Sequence, residues 1–196
     1  MTETATATAT TATTTTTNIV NKGTGAGGAA TNANGLSYEE RTSFERFLPV
    51  EKEDSFGSGK NDEYKIYNIE GERFIKVVKS GLKNIMGKSY NNKCEKSLQP
   101  DEAFISHNKK TIFILEKKFQ QSPGSVDEKI QTGLFKYEFY CQQYPTYEIK
   151  DAYVLSDWFK QDRYSPEMRF NKKYNITVFW GSDEKYFDNV KEWLLN

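Results

Sequence analysis

Three side chains hold the chemistry this chain could do: Asp101, Glu116 and Lys118. Asp101 follows Pro100, and Glu116-Lys117-Lys118 ends the apolar run Ile112-Phe113-Ile114-Leu115. Two short strands are predicted here, about Glu102–Ser106 and Thr111–Lys118, joined by a polar turn. Whether that turn takes two residues or four, residue 106 faces 111, and Asp101 then falls opposite Glu116. Directly opposed residues hold their Cβ atoms roughly 4.5–5.5 Å apart. Lys118, two residues on, points to the same side. Two carboxylates this close repel and raise one pKa; a divalent cation removes that penalty. Few protein ligands, all oxygen, suit Mg²⁺, which keeps several waters and binds phosphate. Mn²⁺ would serve as a substitute. A lysine beside the pair could hold or deprotonate a water aimed at phosphorus. A solvated charged hairpin would have the same short pattern, so the surrounding elements must decide.

Those elements alternate. Ser37-Tyr38-Glu39-Glu40 has capping-box spacing and predicts a helix from about Tyr38 to Leu48, stopped by Pro49. The charged, Gly-rich stretch Glu51–Glu63 is expected to be a loop, and strands are expected near Tyr64–Ile69 and Arg73–Val78. Ser125-Val126-Asp127-Glu128 repeats the capping box. The helix after it would put Val126, Ile130, Leu134, Tyr137 and Cys141 on one face. Further strands are predicted at Asp151–Leu155 and Asn175–Trp180. A last helix from Ser182 would turn Tyr186, Val190, Trp193 and Leu194 inward. Interleaved strands and helices predict an α/β class, with a central mixed β-sheet flanked by helices.

The motif Pro100-Asp101 … Glu116-Lys117-Lys118 resembles that of the PD-(D/E)XK nuclease family. More of the chain is similar to a subset of type II restriction endonucleases in that family. The residues concerned are Asn21-Lys22-Gly23 … Gly27-Gly28 … Thr31-Asn32 … Gly35-Leu36 … Glu39 and Glu116-Lys117-Lys118-Phe119-Gln120 … Gly124-Ser125-Val126-Asp127-Glu128-Lys129. The resemblance runs from roughly Asn21 to Tyr140. It implies a restriction endonuclease-like core, with Asp101, Glu116 and the carbonyl of Lys117 as metal ligands and Lys118 as the catalytic lysine. It also implies an acid on the first helix near the metal, matched by Glu39. Gln120, beyond Lys118 on the strand, would contact DNA or order the site. The implied activity is Mg²⁺-dependent hydrolysis of double-stranded DNA at a short specific sequence, by a homodimer if that sequence is palindromic. The implied setting is the cytoplasm of a microbe or of a virus-infected cell. A structure-selective repair nuclease and a non-catalytic nucleic-acid-binding module that stacks bases and holds phosphates stand as alternatives.

Other signals are weaker. Gly23-Thr24-Gly25-Ala26-Gly27-Gly28 fits the dinucleotide fingerprint G-x-G-x-x-G, but no buried strand precedes it and no helix is predicted until Ser37. It reads as a flexible loop, or as backbone that approaches DNA closely through Lys22, Gly25 and Gly27. Lys79, Lys83, Lys88, Lys93 and Lys96 form a solvated face or neutralise phosphates, Lys83 and Lys88 among them. Arg163, Arg169, Lys172 and Lys173 fit either a base-reading loop or a basic connector. His107, the only histidine, belongs to the predicted turn, and without a recognisable nucleophile the chain offers no catalytic triad.

Composition sets the outer limits. The 196 residues suggest one compact domain, 18–196, behind a disordered Thr/Ala tail, 1–17. Aromatics at 14% can close a core of this size, and a net charge of zero neither requires nor excludes nucleic acid. Cys94 and Cys141 are too few for a disulfide framework or a cysteine-built zinc site. With no apolar run of membrane-spanning length and no signal peptide, a soluble intracellular protein is expected.

Overall fold

The computed structural model describes residues 29–59, 61–87, 97–123 and 126–196. The Thr/Ala tail, the Gly-rich segment with Lys22, Gly25 and Gly27, and Lys88, Lys93, Cys94 and Lys96 lie outside the described residues.

Seven strands form one sheet in chain order: β1 (Lys52–Ser55), β2 (Glu63–Ile69), β3 (Glu72–Val77), β4 (Glu102–Ser106), β5 (Thr111–Lys118), β6 (Glu148–Leu155) and β7 (Thr177–Trp180). From β1 to β5 neighbours run antiparallel; β5, β6 and β7 run parallel. The protein is therefore α/β with a mixed sheet. Short turns join antiparallel neighbours at β2–β3 and β4–β5, and the longer β3–β4 connection, which contains α2 (Gly81–Met86), also joins an antiparallel pair. Glu70 and Gly71 turn β2 into β3 with φ of 52° and 88°, the mirror-image turn that matches strand twist. Parallel strands instead need a crossover. Helices α3 (Val126–Lys129) and α4 (Gly133–Gln143) supply it between β5 and β6, and α5 (Ser165–Lys173) supplies it between β6 and β7.

Alternation along β4 and β5 divides the core between two faces. Phe104, Phe113 and Leu115 pack beneath α1 (Ala29–Arg41) and α6 (Tyr186–Leu195), against Tyr38, Val190 and Leu194. Ala103, Ile105, Ile112 and Ile114 face the opposite way, beneath α2 (Gly81–Met86) and α4, against Leu82, Met86 and Tyr140. A third cluster, with Ile130, Tyr153, Leu155, Tyr164 and Ile176 at its centre, fills the space beside α5. No helix among the described residues is long and apolar enough to cross a membrane.

Several elements differ from the sequence prediction. The first helix ends at Arg41 instead of reaching Leu48, and Ser37 lies inside it. The Thr42 hydroxyl donates to the Tyr38 carbonyl at 2.8 Å, a local bond that competes with helix continuation. Ser43 is then extended, and a 3-10 turn over Phe44–Arg46 buries Phe44. The expected loop 51–63 contains β1, whose residues are all exposed, so no hydrophobic alternation could reveal it. The helix after β5 is interrupted by a 3-10 turn at Ile130–Thr132. With three residues per turn there in place of 3.6, the apolar stripe slips. Ile130 and Leu134 join the third cluster, while Tyr137 and Cys141 join Tyr140 in the second, beneath α4 against the sheet. The basic stretch before β7 contains α5, with Pro166 in its first turn. β6 begins three residues early, at Glu148, and the last helix begins at Tyr186 rather than Ser182.

Candidate active site

The β4–β5 hairpin has the predicted register. Ser106 faces Thr111 and Glu102 faces Leu115, so the next pair outward is Asp101 and Glu116. Asp101 precedes the strand proper, where the main-chain ladder gives out. The Pro100 carbonyl accepts from the Lys79 N–H at 2.8 Å, and the Lys117 N–H donates to Asp101 Oδ2 at 2.8 Å. Asp101 is thereby clamped by the backbone of the strand that holds its partner.

Lys118 completes the group. Its Nζ lies 3.2 Å from Asp101 Oδ2, 2.9 Å from Glu116 Oε2 and 3.1 Å from the Lys117 carbonyl oxygen. Three oxygens thus converge on one cationic nitrogen. From α4, Lys136 Nζ reaches Glu116 Oε2 at 2.7 Å. Side-chain exposure is 16% for Asp101, 5% for Glu116, 12% for Lys118 and 22% for Lys136, a recess that opens towards Lys136. Burial pushes the Lys118 ammonium down, but Glu116 and Asp101 more than offset it, and its pKa lies above the ordinary lysine value. Lys118 is therefore charged at neutral pH.

Behind this group sits Asp151, paired with Ile114 in the β5–β6 ladder and hence on the same sheet face. Burial, foremost, and the nearby Glu116 hold its carboxyl well above the usual range, against the pull of Lys136 and Lys118. Tyr140, one turn after Lys136 on α4, has a buried hydroxyl without a hydrogen-bond partner. Burial raises its pKa most, followed by Glu116 and Asp151.

The Lys117 side chain takes the other face of the sheet. Its Nζ donates to Glu102 Oε1 and to the Glu39 carbonyl, each at 2.9 Å. Only its main-chain N–H and C=O face Asp101 and Lys118. Glu39 lies on α1, half-buried; burial, then Asp101, raises its carboxyl pKa, opposed by Lys79, Lys117 and Lys118. Its charge thus acts on Asp101, but the contact it makes with the hairpin is through its backbone.

The remaining candidates make their contacts with other residues. β5 ends at Lys118, so Gln120 does not extend the strand face. Its side-chain amide donates to the Ser122 carbonyl, and its main chain exchanges hydrogen bonds with the Ser156 hydroxyl at 3.1 and 3.0 Å. It lines a cleft of about 290 Å³ with Tyr38, Arg41, Phe119 and Trp158. Lys83 is exposed on α2. Arg163 stacks over Trp158 and Tyr164, at 4.8 and 4.7 Å from the ring centroids. Arg169, Lys172 and Lys173 are exposed on α5. His107 lies in the β4–β5 turn, its Nδ1 2.7 Å from the Tyr147 hydroxyl.

Sequence reasoning missed Lys136 and Asp151. The one signal for Lys136 is its i,i+4 spacing from Tyr140 on a helix, which puts both on the same side. For Asp151 it is an acid at the head of an apolar strand, Ala152–Leu155.

The oxygen set Asp101, Glu116 and Lys117 C=O has the donor chemistry of a hard-cation site completed by water, and an ammonium already takes that position between the oxygens. Among the described residues, no group of three or more His, Cys, Asp or Glu side chains could hold a metal by itself. No family model, curated protein or solved structure matches the chain.

Proposed function

We propose that this chain is a metal-dependent endonuclease of the PD-(D/E)XK kind, with the β4–β5–β6 region of its sheet serving as a restriction endonuclease-like core. The observation that carries the proposal is the convergence of Asp101 Oδ2, Glu116 Oε2 and the Lys117 carbonyl on Lys118 Nζ, within 2.9–3.2 Å. The substrate is double-stranded DNA cut at a short specific sequence, and a palindromic target would call for a homodimer.

Asp101 and Glu116, with the Lys117 carbonyl, would hold Mg²⁺, or Mn²⁺ in its place. When bound, the metal supplies positive charge to the phosphate as negative charge grows on its oxygens. Lys118, two residues beyond Glu116 on the same strand face, is placed to donate hydrogen bonds beside the metal. Its ammonium is suited to a non-bridging phosphate oxygen or to orienting the attacking water. Water adds to phosphorus as one ester P–O bond breaks, leaving a phosphomonoester and a hydroxyl end. The strand fixes the spacing of these groups, so little reorganisation is needed at the moment of reaction.

Incubation with mixed-sequence plasmid in Mg²⁺ tests the proposal. Discrete fragments are expected, abolished by EDTA and by Asp101→Asn. A smear would indicate a nonspecific nuclease, binding without cleavage would indicate a nucleic-acid-binding module, and cutting that survives Asp101→Asn would refute the assigned site.

A further inference from the structure

Glu116 Oε2 accepts from two ammonium groups at once, Lys118 at 2.9 Å and Lys136 at 2.7 Å. The reaction outlined above employs only the first. Lys118 springs from the same strand as Glu116 and also bridges to Asp101. Lys136 comes from a different element, α4, and its ion pair is with Glu116. The charged groups around this point are Asp101 before β4, Glu116 and Lys118 on β5, Asp151 on β6 and Lys136 on α4, with Glu39 of α1 acting on Asp101 and Lys118. Within ion-pairing distance, two carboxylates, Asp101 and Glu116, are matched by two ammonium groups, Lys118 and Lys136. Such a cluster offers an incoming dication little net attraction. Lys136 is also the most exposed of the four ion-paired side chains, so it alone can turn towards water without leaving a buried charge behind.

We propose that Lys136 is a built-in counter-ion of Glu116, which a divalent cation must displace to bind, so that this residue sets the metal affinity of the free protein. The identity of the displacing ion rests on the nuclease reading; the competition at Glu116 Oε2 rests on geometry. Lys136 is thus a positioning residue for the metal site.

The test is Mn²⁺ binding to the full chain without DNA, read by electron paramagnetic resonance of free Mn²⁺, for the wild type, Lys136→Met and Lys136→Arg. Methionine keeps the length and helix preference of lysine without its charge. Lys136→Met is expected to bind Mn²⁺ at least about tenfold more tightly, the scale set by one opposite charge at contact distance, while Lys136→Arg stays at the wild-type value. Should Lys136→Met not fold, Lys136→Gln makes the same prediction. A folded neutral variant with unchanged or weaker Mn²⁺ affinity would overturn the proposal and leave the nuclease reading standing. Absence of Mn²⁺ binding by both the wild type and the neutral variant would overturn the metal reading, and this inference with it.

Discussion

Strands β4 and β5 bear two clusters of charge, one on each face, built from adjacent residues of the same types. On one face Glu102 Oε1 accepts from Lys76 at 3.1 Å and from Lys117 at 2.9 Å, and Lys76 continues to Glu45 at 2.6 Å. On the other, Glu116 accepts from Lys118 and Lys136, and Lys118 continues to Asp101. Each cluster centres on a glutamate gripped by two lysines. The difference lies in what surrounds them. Glu102, Lys76 and Lys117 are roofed by α1 and the turn after it, and Lys117 is tied to a main-chain carbonyl of α1. The Glu116 cluster lies at the end of its face, beside a partly exposed lysine, with oxygens gathered on one point. Residue type alone does not separate the two clusters; access and the sharing of one point by several acceptors do.

Exchanging the acids would break the comparison most sharply. Glu116→Gln is expected to lower cleavage at least about a thousandfold, as when one member of an interdependent catalytic unit is removed, while circular dichroism remains that of the wild type. Comparable cleavage by Glu116→Gln would erase the distinction between the faces. Glu102→Ala should do the reverse. Leaving the buried Lys117 ammonium without a carboxylate, while Lys76 keeps Glu45, costs about 3–5 kcal/mol, measurable by urea unfolding, and on the nuclease reading the fraction still folded should cut DNA at the wild-type rate per molecule.

Asp151→Asn sharpens the comparison with a smaller effect. A carboxyl whose pKa is raised by folding contributes stability below its unfolded value of 3.8 and loses it as pH climbs through the folded value. Near neutral pH the wild type therefore carries a penalty that asparagine lacks. Thermal unfolding at pH 8 should show Asp151→Asn melting higher, by about 2–4 °C for each kcal/mol relieved in a chain of this size. The gap should close below pH 3.8. A gap that is the same at both pH values would mean that Asp151 is not a strained acid.

Much of the hairpin was legible because it is local. With a two- or four-residue turn, residue 106 faces 111, and that parity sets Asp101 against Glu116 and turns Lys118 to the same side; the structure has the four-residue turn. Pattern reading failed where no pattern exists. β1 is exposed along its whole length, and α5 is short, with only Asn171 fully buried. The broken helix over 126–143 shows a subtler failure: a capping box and an apolar stripe predicted a helix, but a 3-10 turn at Ile130–Thr132 rephases the stripe and places Ile130 with Tyr153 and Leu155 of β6.

By itself, the amino-acid order determined the α/β alternation and, given an even-length turn, the facing of two acids and a lysine, since each depends on nearby residues. Only the tertiary structure decided that Lys117 turns away to Glu102, that Lys136 arrives from α4 to share Glu116, and that Asp151 stands behind them in the next strand. Those pairings join residues from separate elements, and their energies come from burial and distance in three dimensions, which no spacing along the chain encodes.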